Sequence, residues 1–186
     1  MHPLADGGIR KLRSFERPRL CEHLLRLNAE ERRMRFCGPA SDSFIRRYCS
    51  NTGSANDIVL GYFVGGELRG AGELKLHHDG VFRMGAEVAL SVETPYQGRG
   101  VGTRLLRRLT VLARNRGVGK IHMLCLRENA GMQTIASKLG VESQIHEYDV
   151  EGTAHLRWAS HLTLAEEAMA DGYEVLRLVL GLDRAP

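Results

Sequence analysis

Three glycines at alternating positions, Gly98, Gly100 and Gly102, stand between a stretch that reads as a strand and a stretch that reads as a helix. Before them, Val88, Leu90 and Val92 alternate with Glu87, Ala89 and Ser91 over residues 84–92, the period of a strand. Thr94-Pro95 then stops the pairing, because proline brings no N–H to a ladder. After them, Val101, Leu105, Leu109 and Leu112 recur at helical spacing over 100–116, with Arg104, Arg107, Arg108 and Arg114 on the other side. The glycines keep the amides of residues 97–103 clear of bulky side chains, and these amides sit where a helix start presents its unpaired N–H groups. Such a turn is a cradle for phosphate. The spacing Gly-x-Gly-x-Gly differs from the dinucleotide pattern Gly-x-Gly-x-x-Gly, and Glu128 lies too late in the chain to take a ribose.

The remaining pattern sets the frame. A first strand is expected at 9–13, with Ser14 capping a helix that carries Leu20, Cys21, Leu24 and Leu27. Asn28 and Glu31 make a capping box for 29–36, Gly38-Pro39 ends that helix, and Ser41 or Asp42 opens a third. The arginines at 32, 33, 35, 46 and 47 read as solvated faces. A polar loop at 51–56 precedes strands at 58–64 and 68–76 joined by Gly65-Gly66-Glu67, in which Leu68, Leu74 and Leu76 share the buried face. His77-His78-Asp79-Gly80 reads as a turn, and residues 121–126 as a strand covered on both faces. Asn129 caps a helix with Met132, Ile135, Ala136 and Leu139 on one side, closed by Gly140. Strands at 141–150 and 153–158 turn at Glu151-Gly152. Thr163 and Glu166 cap a last helix to about Ala170, and 175–180 fits helix or strand. Helices first, three strands, then helix, strand, helix and two strands predict an α/β (α+β) fold with a mixed sheet and helices on its faces.

A chain of 186 residues with 43% hydrophobic content supports one domain, 1–186, with its core at about 8–160 and a C-terminal extension at 161–186. A net charge of +4 suits anionic ligands, and no basic block with interleaved aromatics points to nucleic acid. Cys21, Cys37, Cys49 and Cys125 are scattered and give no metal site or redox pair. No leader and no membrane-length apolar run is read, so a cytoplasmic protein without a membrane partner is expected.

Gln97-Gly98-Arg99-Gly100-Val101-Gly102 resembles the pyrophosphate-binding signature of the GCN5-related N-acetyltransferase (GNAT) family of acetyl-CoA-dependent enzymes, and the strand before it and the helix at 129–140 sit at that family's intervals. The resemblance implies a largely antiparallel sheet of six to seven strands with a splayed central pair. It assigns Gln97, Gly98, Arg99, Gly100, Val101, Gly102 and Thr103 to the pyrophosphate, and Leu90, Ser91 and Val92, beside a bulge, to the pantetheine arm. Asn129 would contact the arm or serve as a plain helix cap. The implied reaction moves an acetyl group from acetyl-CoA, with no metal, to a primary amine.

An amine with a pKa near 10.4 must lose a proton before it attacks, so a general base is needed. The resemblance to protein-lysine acetyltransferases, with Ala-Glu in the same strand, makes Glu87 that base; Glu93 and Glu73 are alternatives. The family's tyrosine acid, seven residues after the asparagine, is Ala136 here, which leaves Tyr96, Tyr148, His146 or water for the leaving thiolate. Asn129, Met132 and Lys138-Leu139-Gly140 also resemble the lysine-acetylating subset, and the acceptor is either a protein lysine or a small amine. A CoA-binding regulatory module without turnover is the alternative function, and the C-terminal segment is a candidate for self-association.

Overall fold

In the computed structural model, which describes residues 7–51, 57–78, 84–138 and 140–180, strand β1 (Gly8–Lys11) leads into helices α1 (Arg17–Arg26), α2 (Ala29–Phe36) and α3 (Asp42–Asn51). Strands β2 (Asp57–Val64), β3 (Glu67–His78) and β4 (Met84–Val92) follow, then α4 (Val101–Asn115), β5 (Val118–Leu126) and α5 (Ala130–Lys138). A hairpin of β6 (Glu142–Ile145) and β7 (Asp149–His155) precedes α6 (His161–Val179). The strands form one sheet in the order β1-β2-β3-β4-β5-β7-β6, antiparallel except where β4 meets β5. That parallel pair follows from the connection, since a helix between two strands returns the chain in the same direction.

Each face of the sheet has its own core. On one side the apolar stripe of α4, with Leu105, Leu106, Leu109 and Leu112, packs on Leu60, Leu74, Val88, Ile121 and Met123. On the other, Leu20, Leu24 and Leu27 of α1 and Ile45 of α3 pack on Val59, Leu68 and Ala71. Leu68 is therefore not on the face of Leu74 and Leu76, as strict alternation predicts. Tyr62 pairs with Gly70 and Phe63 with Leu68, so Arg69 is an extra residue, and this bulge moves Leu68 to the other face.

Other expectations shift for local reasons. Ser14 opens a short 3-10 turn, and α1 starts at Arg17 with a proline in its first turn. His77 and His78 continue β3 rather than turning, while most of the expected loop at 51–56, Asp79-Gly80 and Leu139 lie outside the described residues. The last hairpin turns after Ile145 rather than at Glu151-Gly152, because Val150 pairs with both Ile145 and Cys125. Leu124 is 51% exposed, so β5 is covered on one face only at that point. Ser160, not Thr163, caps α6: the Thr163 amide donates to Ser160 Oγ at 3.3 Å and the Ser160 amide to Thr163 Oγ1 at 2.9 Å. The helix runs to Val179, resolving the last apolar run as helix.

The arginine faces are not all solvated. Arg32 bonds the Leu25 and Leu27 carbonyls and pairs with Asp42 at 2.7 Å, joining α1, α2 and α3. Arg35 is buried and pairs with buried Glu73 at 2.5 Å. Helix α6 docks through its charged face: Glu167 pairs with Lys11 at 2.8 Å and Arg116 at 3.1 Å, and Glu174 with Arg108 at 3.1 Å. No helix among the described residues is long and apolar enough to cross a membrane.

Candidate active site

Strand β4 pairs with β3 along its whole length, from Met84 to Val92. Its pairing with β5 ends at Glu87 opposite His122. Beyond that point β5 follows β7, with Met123 to Leu126 opposite Gly152 to Asp149, and residues 88–92 of β4 are left with one open edge. The expected splay is present, but the irregularity in this pairing lies between Met84 and Gly85 rather than near Val92. The divergence of β5 opens the slot, so β4 needs no bulge there.

A cleft of about 720 Å³ occupies the slot and continues to the glycine turn. Leu90, Ser91, Val92, Gln97, Gly98, Gly100, Val101, Gly102, Thr103 and Asn129 all line it, so the structure brings together ten of the twelve residues singled out in the sequence. Arg99 and Glu87 do not line it. The Arg99 guanidinium sits 5.9 Å over the Tyr96 ring. Glu87 is exposed at the closed end of the slot, flanked across the strands by Lys75 and His122, and makes no hydrogen bond or ion pair with the described residues.

Gly98 and Gly100 have φ of +68° and +77°, and a Cβ on either would project into open space. Left-handed backbone turns successive N–H groups toward the cleft just before α4, whose first N–H groups lack helical partners. This fits the pyrophosphate of a CoA-type ligand. Gly102 sits under α5, where an added Cβ would come within 2.8 Å of Ile135 Cδ1 and oblige the end of that side chain to shift. A Gly100→Val substitution is expected to cost about 1–2 kcal/mol for the left-handed conformation and to weaken acetyl-CoA at least about tenfold. Thermal melts and calorimetric titration check the two effects separately.

The remaining expected side chains shape the site as well as line it. Gln97 Nε2 donates to the Val92 carbonyl at 2.7 Å and ties the turn to the strand end. Asn129 Oδ1 accepts from the Met132 amide at 3.0 Å, the bond of a helix cap. Glu31 completes the capping box with Asn28 and also accepts from the Thr94 amide at 2.5 Å, fixing α2 over the mouth. Arg33 of α2 pairs with Glu128 across that mouth.

A network under the slot escaped the sequence. His23 is fully buried; its Nδ1 lies 3.1 Å from Glu93 Oε1 and its Nε2 2.9 Å from Ser91 Oγ. Arg26 and Arg69 also bond Glu93, at 3.1 and 3.0 Å. The available signal was position, because residue 23 falls in the apolar stripe of Leu20, Leu24 and Leu27. Burial alone raises the Glu93 carboxyl, but the bonds from His23, Arg69 and Arg26 outweigh it and hold it down at about 2. Glu93 is therefore a poor proton acceptor, and Glu73, committed to Arg35 and the Tyr48 hydroxyl, is no freer.

Because the folded value of Glu93 lies below its ordinary 4.5, its stabilisation is present above about 4.5 and is lost as pH falls toward 2. Glu167, also held at about 2, acts in the same window. A Glu93→Gln variant should melt below wild type at pH 7, with the gap narrowing as the pH falls through that range.

No group of three or more His, Cys, Asp or Glu side chains is placed to hold a metal among the described residues. The sequence profile of the acetyltransferase (GNAT) family matches residues 22–141. The fold is similar to that of the GNAT domain of S. lividans PAT, at 22% identity over 84% of this chain and all of that one, with a TM-score of 0.68. It is also similar to the ribosomal-protein-S18-alanine N-acetyltransferase of Escherichia coli, at 18% identity over 83% of this chain and 97% of that one, TM-score 0.63. A third likeness is to yncA of Salmonella typhimurium, a structure holding acetyl-CoA, at 18% identity over 83% and 96%, TM-score 0.63. The matched profile takes in the glycine turn, the open-edged strand and the helix capped by Asn129, and the chain belongs to the GNAT family of acetyltransferases, enzymes of acetyl-CoA-dependent N-acetylation.

Proposed function

We propose that this protein transfers the acetyl group of acetyl-CoA to a primary amine, on a protein lysine or a small molecule, by direct attack with Glu87 as the general base. The observation that carries the reading is the open edge of residues 88–92 between the glycine turn and Glu87. Five residues at about 3.3 Å each span roughly 16 Å. A pantetheine arm, with a chain of about a dozen bonds, extends about as far as four or five residues of backbone. With the pyrophosphate at the amides of residues 98–103, the open N–H and C=O groups of β4 would pair with the arm's amides as they would with another strand. The thioester end then lies beside Glu87.

Acetyl-CoA supplies an activated acyl group with a thiolate leaving group. Glu87, without a competing partner among the described residues, takes the proton that the attacking amine gives up. The slot walls hold the carbonyl and the amine together, which contributes through proximity and orientation. An open-edge backbone N–H near residues 88–90 is placed to donate to the developing oxyanion.

The test is to titrate wild-type protein with acetyl-CoA and then follow free thiol against a panel of lysine peptides, polyamines and smaller amines. The expected result is binding together with amine-dependent CoA release. Binding without release against every amine would contradict the enzyme reading and favour a CoA-binding regulatory module.

A further inference from the structure

We propose that His122 is a second catalytic residue, which donates the proton required by the departing CoA thiolate. This rests on the acetyl-transfer reading above. His122 is the last residue of β5 that pairs with β4, so it closes the slot directly opposite Glu87. Its neighbours Ile121 and Met123 enter the core, and alternation turns His122 to the same face as Glu87. The two strands run parallel and neighbouring strands lie about 4.8 Å apart, so the two side chains leave the same face from adjacent backbone. One rim of the closed end thus offers a carboxylate and the other an imidazole.

The imidazole is oriented for this role. Its Nδ1 lies 3.7 Å from Glu151 Oε1 on β7, so the ring is turned with Nε2 away from β7 and without a partner among the described residues. The side chain is 28% exposed, enough for a ligand to reach. Glu87 faces it from β4, Glu151 and Thr153 from β7, and His77 from β3 at 6.2 Å between rings, with Lys75 beyond Glu87 and Lys120 on its own strand. An imidazolium protonates a thiolate readily and is left as neutral imidazole, since an ordinary thiol titrates near 8.5 and an ordinary histidine near 6.5.

The donors considered from sequence fall elsewhere. Tyr96 lines the cleft only at its glycine-turn end, beside the expected pyrophosphate and five residues of open strand from Glu87, with its ring 6.1 Å from Tyr62. His146 and Tyr148 lie in the β6–β7 turn, past Leu126 and so roughly 13 Å along β5 from His122. Ala136 is buried in the core and carries no proton.

In the transfer, the amine nitrogen forms its bond to the acetyl carbon and the carbon–sulfur bond breaks, its electron pair leaving on sulfur. The Nε2 proton of His122 passes to that sulfur, and Glu87 takes one proton from the amine nitrogen. Transfer of the proton from Glu87 to His122 through solvent restores both groups, and the net products are the acetamide and CoA thiol.

Two measurements test this. In complexes with CoA alone, ultraviolet absorbance against pH reports when the bound thiol ionises. Ionisation at lower pH in wild type than in His122→Gln is expected, because the ring stabilises the thiolate. In turnover, His122→Gln should lower kcat roughly 10–100-fold with little change in KM for acetyl-CoA, and imidazole in solution should restore part of the rate to His122→Ala. Thiol ionisation at the same pH in both proteins would overturn the proposal, even if kcat falls, since a merely structural histidine could do the latter. If wild type releases no CoA against any amine while thiol ionisation still depends on His122, the acetyl-transfer reading fails and the contact to sulfur stands.

Discussion

Glu87→Gln is expected to lower kcat by about 10²–10⁴, the usual contribution of a general base, while the Kd for acetyl-CoA stays within about twofold. The structure explains why the two readouts should separate. Glu87 lies at the closed end of the slot and outside the cleft lining, so its removal takes nothing from the amides of residues 98–103 or from the open edge of β4. It is exposed and makes no bond to the described residues, and glutamine keeps its size, so the strand and its ladder to β3 should be unaffected. Steady-state thiol release beside a binding titration is the check. Loss of binding would mean that Glu87 shapes the site, and unchanged kcat would remove it as the base. Glu93→Gln is the informative comparison, because Glu93 is already the partner of His23, Arg69 and Arg26 and should affect stability more than turnover.

The second large effect is on stability. Arg35 and Glu73 are a buried pair, with 7% and 3% of their side chains exposed, joined at 2.5 Å and bridged by the Tyr48 hydroxyl, which donates to Glu73 at 2.8 Å. Glu73 sits on β3 directly opposite Ala89 of β4, and Arg35 comes from α2, so the pair fastens the helix over the slot to the strands beneath it. Removing one partner strands the other charge away from water, at a cost of about 3–5 kcal/mol. Glu73→Leu should therefore lower Tm by roughly 10 °C in a chain of this length. Arg35→Met with Glu73→Leu should recover a large part of that loss, because a packed apolar pair replaces the ions. Thermal denaturation of the two single variants and the double variant measures the coupling directly. A double variant that melts at the sum of the single losses would show that the pair is not acting as a unit.

The parts of this fold that depend on local chemistry were readable in the chain. The Asn28–Glu31 capping box, the α4 stripe and the glycine turn each follow from residues within one or two turns of each other, and each appears where the pattern put it. The sheet's central split was implied by the family resemblance, and no residue of its own announces it, since it is set by β5 choosing β7 over β4 beyond His122. What stayed hidden depends on contacts far apart in sequence. Arg35 looked like its neighbours on α2 until the fold set Glu73 beneath it, and His23 looked like a break in an apolar stripe until Ser91 and Glu93 met it. The bulge at Arg69 reversed the facing of Leu68, and its one local mark was Gly70, the next residue in the strand. The row of Lys75, Glu87 and His122 exists only through register, so His122 could not be told from any other strand histidine.

The central claim is that acetyl-CoA fills the slot along β4 and brings its thioester to Glu87. Amide hydrogen exchange with and without acetyl-CoA tests this most directly, resolved to the slot-facing amides of residues 88–92 and the turn amides of 98–103. Both groups are expected to slow together, and the slowing along β4 to extend to the Glu87 end. Protection confined to the turn, with the open edge of β4 exchanging as fast as before, would contradict it.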